Sequence, residues 1–71
     1  MNIPLSVGDI GEDYVIKKIS GKQEVKQHLE NMGFVTGGAV RIVSENNGNI
    51  IVAVKESRVA ISKEMATRIY V

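Results

Sequence analysis

The sequence predicts a mainly β domain with one short helix, folded as a small, partly open barrel of about five strands. Three observations carry that expectation. Short runs rich in β-branched residues recur from Tyr14 to the C-terminus, separated by turn residues. In one stretch, Val25, Leu29 and Met32 repeat at helical spacing and make a narrow apolar stripe. Between two aliphatic runs stands Asn46-Asn47-Gly48, a hairpin turn by composition.

Taken in order, Ser6 to Gly11 is turn-rich and leads into the first strand. From Tyr14 to Ile19 the chain reads Tyr-Val-Ile-Lys-Lys-Ile, residues suited to a pleated sheet. Val15 and Ile16 are adjacent, as are Lys17 and Lys18, so the alternation needs a bend or bulge. The helix follows, from about residue 21 to 32. Ser20 is placed to cap it, with Gln23 at capping-box spacing. Gly33 supplies the left-handed residue that closes it, and Phe34 packs back on Leu29 in a Schellman-type end.

The next two strands form the hairpin. A two-residue turn at Asn47-Gly48 sets Val40 and Ile42 on the same face as Lys55. A three-residue loop with Gly48 in a bulge instead aligns Val40, Ile42 and Ser44 with Val54, Val52 and Ile50. Burial of one consistent face decides register, so the three-residue loop is expected. Val59-Ala60-Ile61 makes a short strand, and Ser62 caps a single helical turn over Lys63 to Ala66. Arg68 to Val71 closes the chain, with Ile69 and Val71 on one face. The helix inserted after the first strand and the helical turn before the last give an SH3-like architecture.

A chain of 71 residues holds one domain, residues 1–71, and one core. At this size only about 60% of the unfolded surface is buried, and a metal or disulfide staple is common. Cysteine is absent and His28 is the single histidine, so regular packing of the 44% apolar residues must compensate. Zero cysteines fits a reducing compartment. The N-terminus, Met1 to Leu5, lacks the basic and apolar regions of a signal peptide. Ile50 to Val54, the longest aliphatic run, is far too short to span a membrane. The expectation is a soluble, cytoplasmic protein without direct membrane insertion.

Catalytic chemistry finds little to work with. Nucleophilic catalysis lacks a thiol, and His28 would have to serve every hydroxyl as base. His28, Glu24 and Asn31 share one side of the helix but make a poor metal shell. Met32 and Met65 read as core filling. The acidic trio Asp9, Glu12 and Asp13 lacks the ligand count of a calcium loop. Gly21-Lys22 is not a phosphate loop, since Ile16 stands where its first glycine belongs. The net charge of +1 is too balanced for a dedicated nucleic-acid binder, and the Lys17, Lys18, Lys22, Lys26 cluster has no interleaved aromatic. A proline-rich peptide groove would want more aromatics than Tyr14, Phe34 and Tyr70. No catalytic residue, cofactor, metal site or nucleic-acid partner is expected.

One ordered series is more specific than any of its parts. It runs from Gly8 through the Ile16 to Ile19 strand to Leu29-x-x-Met32-Gly33-Phe34-x-x-Gly37-x-x-Val40. It continues through the hairpin and Val59-Ala60-Ile61 to Ala66-x-x-Ile69-x-Val71. From about Leu5 to Val71 the chain resembles the FeoA family, small accessory proteins of bacterial ferrous-iron uptake. Thr36 departs from the family's usual proline before the turn glycine. The resemblance implies an SH3-like fold and a non-enzymatic, regulatory role beside FeoB, a membrane ferrous-iron transporter with a cytosolic GTP-binding domain. It implies a cytoplasmic protein, held at the inner membrane through that partner. A second implication is a stand-alone regulatory module related to C-terminal domains of metal-dependent repressors, sensing a transition metal or binding a peptide. The expected partner-binding surface is the helix edge with Lys22, Lys26 and Glu30, joined by the loop Val35, Thr36, Gly37 and Gly38. Loops on a rigid scaffold carry binding, and these side chains are expected to project away from the apolar stripe.

Overall fold

The run from Tyr14 to Ile19 forms two strands rather than one, and that division organises the molecule. The computed structural model describes residues 2–71. Its elements are β1 (Asp13–Val15), β2 (Lys18–Ile19), α1 (Gln23–Asn31), β3 (Ala39–Asn46), β4 (Asn49–Val54), β5 (Ser57–Ser62), α2 (Lys63–Ala66) and β6 (Ile69–Tyr70). A 3-10 turn, Leu5–Val7, precedes them. β1, β3, β4 and β5 make a four-stranded antiparallel sheet in that order, while β2 pairs with β6.

Between β1 and β2 the chain crosses from one sheet to the other. The Ile16 amide donates to the Gly38 carbonyl at 2.9 Å, and the next amide, Lys17, donates to Tyr70 at 2.7 Å. Ile16 is buried at the crossing, whereas Val15 faces out. The broken alternation therefore marks a strand that changes sheets, which also brings the strand count to six among the described residues. Ile3 and Val71 exchange backbone bonds of 3.0 and 2.8 Å, which extend the smaller sheet. Leu5, Ile16, Leu29, Phe34, Ile50, Val52 and Ile69 fill the space between the sheets with at most 1% exposure. Full burial of a side chain such as Leu29 or Phe34 contributes roughly 1.5–3 kcal/mol.

The β3–β4 hairpin corrects the expected loop. Asn46 pairs with Asn49, so the turn has two residues, Asn47 (φ 46°) and Gly48 (φ 84°). Both lie at positive φ, as a type I′ turn demands. The odd residue is absorbed inside the strand instead, where a bulge lies between Ile42 and Ser44. Val40 opposes Val54 and Ile42 opposes Val52 as the burial argument required, but Ser44 opposes Ile51 rather than Ile50. Burial of one face was the right criterion; a strand bulge satisfied it without lengthening the loop.

α1 ends as its sequence says and begins differently. Gly33 (φ 105°) donates to Glu30 at 2.9 Å and Phe34 donates to Leu29 at 2.9 Å, the paired bonds of a Schellman end. The N-cap is Lys22, with no side-chain capping bond, and the helix starts at Gln23. Ser20 turns away and its hydroxyl donates to the Arg68 carbonyl at 3.5 Å. The crossing strand holds Ser20 in the ladder toward β6, where its amide also donates to Arg68. The capping box is therefore not formed. At the other end of the chain Ser62 does cap α2, accepting from the Met65 amide at 3.1 Å.

Candidate functional site

The helix stop sets the position of an exposed irregular segment. Past Phe34, which is anchored in the core, the chain makes a tight turn over Val35 to Gly38, closed by a 2.9 Å bond from the Gly38 amide to the Val35 carbonyl. Gly37 stands at φ 89° with open space where a side chain would begin, so backbone conformation alone selects glycine. Its amide donates to Ile16 at 2.8 Å, which ties the turn to the sheet crossing. The loop is thus exposed yet pinned, a suitable docking element on a rigid frame.

Beside this turn lies a cleft of about 340 Å³ on the outer side of the larger sheet. Gly33 and Gly38 border it, Ala39 and Ala53 line it with no more than a methyl group each, and Asp13, Arg41 and Lys55 supply its charges. Cross-strand register brings these together. Asp13 opposes Arg41, Arg41 opposes Ala53, and Ala53 opposes the exposed Arg58. Arg41 grips Asp13 with two bonds, Nε to Oδ1 at 2.7 Å and Nη2 to Oδ2 at 3.0 Å. The hydrogen bonds from Arg41 hold the Asp13 carboxyl below the usual carboxylate range, and the same bonds push the guanidinium higher still. Lys55 sits in the β4–β5 turn at φ 55°, a conformation that costs an ordinary side chain about 1 kcal/mol or more.

The expected partner-binding residues fall into two groups. Lys22, Lys26 and Glu30 follow one another at four-residue spacing along α1, with Lys22 and Glu30 exposed and Lys26 half-buried. Val35, Thr36 and Gly37 are exposed at the tight turn, and Gly38 is half-buried where it lines the cleft. Of the expected set, Gly38 alone meets the cleft; Lys22 stands at the start of the helix, at the opposite end from Gly33. Asp13, Arg41 and Lys55 were not anticipated. The register derived for Val40 and Val54 already placed Arg41 opposite Ala53, and that was the available signal. Nothing local in the sequence places Asp13 beside them.

His28 is exposed on α1 and is not among the residues that line the cleft. Among the described residues no three His, Cys, Asp or Glu side chains converge as a metal cluster. No helix among them is long and apolar enough to cross a membrane. The chemistry present in the cleft is charge and shape: an exposed ammonium, a matched ion pair and a floor of small residues.

Comparison with known proteins gives a consistent result. The FeoA domain profile matches residues 3–71. A Methanocaldococcus jannaschii protein bearing the provisional name Fe(2+) transport protein A is 32% identical over 68 residues, covering 96% of this chain and 83% of that protein. The crystal structure of an iron uptake regulatory protein, FeoA, superposes with a TM-score of 0.89 at 33% identity, over 99% of this chain and 93% of the other. Stenotrophomonas maltophilia FeoA, solved with zinc and described as an SH3 domain protein, shares the fold at a TM-score of 0.80 and 24% identity, over 97% and 86%. A manganese-dependent transcriptional repressor contains the same fold, at a TM-score of 0.90 and 19% identity, with this chain spanning 40% of its length.

Proposed function

Because the chain belongs to the FeoA family, we propose that it serves ferrous-iron transport by docking on the cytosolic side of an FeoB-type membrane transporter. The observation that carries this reading is the match over residues 3–71, nearly the whole chain. FeoA proteins are accessories of ferrous-iron transport and not a known enzyme family, so this domain acts by binding. The docking surface is the line Lys22, Lys26, Glu30 on α1 together with the turn Val35 to Gly38. Two features support it: the turn is exposed and pinned by backbone bonds, and the lysines present charge at the helix edge without an ion-pair partner among the described residues. A rigid loop beside a charged helix edge loses little entropy on binding.

The test is a titration of isotope-labelled protein with the purified GTPase domain of the transporter, followed by amide shifts. Localised shifts at residues 22–30 and 35–38 are expected. A variant carrying Lys22→Glu and Lys26→Gln should bind several-fold more weakly, most at low salt, with an unchanged melting temperature. Undiminished binding by that folded variant removes the helix edge from the interface. Absence of any shift, with and without a GTP analogue, removes docking on the GTPase domain.

A further inference from the structure

Two hairpin turns in this molecule solve the same geometric problem with different residues. The β3–β4 turn uses Asn47 and Gly48 at positive φ, residue types that accept it readily. The β4–β5 turn holds Lys55 at φ 55°, where a lysine is strained. Strain kept at an exposed position points to a role for the side chain rather than for the backbone. That side chain lines the cleft, its stem close to the helix end: a Cβ on Gly33 would lie 3.7 Å from Lys55 Cδ.

The charges around it are unequal. Arg41 is matched by Asp13 and Lys63 by Glu45, whereas Lys55 has no acidic partner within ion-pair distance among the described residues. Exposed Arg58, opposite Ala53 on the same outer face, adds a second unmatched cation one strand away. Beside Lys55 the cleft floor is Gly38, Ala39 and Ala53, none with more than a methyl group, and Arg58 stands outside that lining on the neighbouring strand. We propose that this cleft receives an extended acidic segment of a partner protein, one of its carboxylates meeting the Lys55 ammonium. An aliphatic stem ending in a single negative charge suits a floor of methyl groups and one ammonium. A phosphate dianion suits it less, because the Asp13 carboxylate stands in the same lining. The proposal deepens the docking reading above and rests on it only for the source of the segment.

The experiment titrates labelled protein with a blocked six-residue peptide carrying two glutamates, its glutamine counterpart, and inorganic phosphate. The acidic peptide should bind with millimolar affinity, weakening with salt, and shift the amides of Gly33, Gly38, Ala39, Ala53 and Lys55. The glutamine peptide should leave them in place. Lys55→Asn keeps a residue that tolerates positive φ and removes the charge; it should weaken the peptide at least fivefold while raising the urea midpoint. Lys55→Arg should retain binding. Shifts elsewhere, equal shifts from the glutamine peptide or from phosphate, or full binding by a folded Lys55→Asn protein each overturn the proposal. The same variants titrated with the transporter GTPase domain separate the two readings. Peptide binding at the cleft without domain binding leaves this site standing and ends GTPase docking. Domain binding with no response to the acidic peptide does the reverse.

Discussion

The amide of Phe34 donates a 2.9 Å hydrogen bond to the carbonyl of Leu29, and both side chains are fully buried. One local bond thus joins the end of the helix to the centre of the core. It exists because Gly33, between them, turns the chain at φ 105°. A Cβ on Gly33 would meet nothing nearer than 3.7 Å, so replacement is penalised through backbone conformation and not through contact. Gly33→Ala should cost about 1–2 kcal/mol. Gly33→Asn should cost less, since asparagine visits left-handed geometry. Equal urea midpoints for the two variants would point to a steric cause instead.

Gly8 presents the opposite case. Its φ of −72° is open to any residue, yet a Cβ there would lie 2.9 Å from Ile42 Cδ1, 3.1 Å from Tyr14 Cε2 and 3.2 Å from the Leu5 carbonyl. Gly8→Ala should therefore destabilise by overpacking, by about 1–3 kcal/mol. Ile42→Val removes the closest atom. Combined with Gly8→Ala it should cost less than the two separate losses added together, as expected for residues in contact. Additive thermal-unfolding losses would refute the packing account.

The Asp13–Arg41 pair makes a signed prediction about pH. Hydrogen bonds from Arg41 depress the Asp13 pKa in the folded state below its ordinary value. The pair's contribution is therefore present above the unfolded carboxyl pKa of about 4 and is lost as pH falls through the lower folded value. Asp13→Asn should remove that dependence, so the two proteins should differ at neutral pH and converge in strong acid. Both side chains are more than half exposed, so the difference should shrink at roughly 1 M salt, where the screening length is about 3 Å. A carboxyl titration of Asp13 at or above the ordinary value would contradict the geometry.

Local chemistry was legible wherever the next few residues decide the outcome. The Schellman end at Gly33 and Phe34, the Ser62 cap and the apolar stripe of α1 each depend on contacts within about five residues. Their residue types leave few alternatives. The pairing of Val40 with Val54 and of Ile42 with Val52 was also legible, because burying one face leaves a single register for them. Ser20 was misread for the complementary reason. It has the spacing of a capping residue, but the strand crossing holds it in the ladder toward β6, and long-range pairing outweighs a local cap.

What the sequence by itself determined is a small, mainly β, SH3-like domain of the FeoA family with one helix and a glycine-built turn beside it. Tertiary structure alone decided where the hairpin's extra residue goes, how the Tyr14 to Ile19 run divides between two sheets, and which charges share a cleft. Asp13, Arg41 and Lys55 are far apart in the chain and meet only through strand register and the helix end. A periodic pattern specifies the face a residue occupies; only the paired strands specify its neighbour on that face.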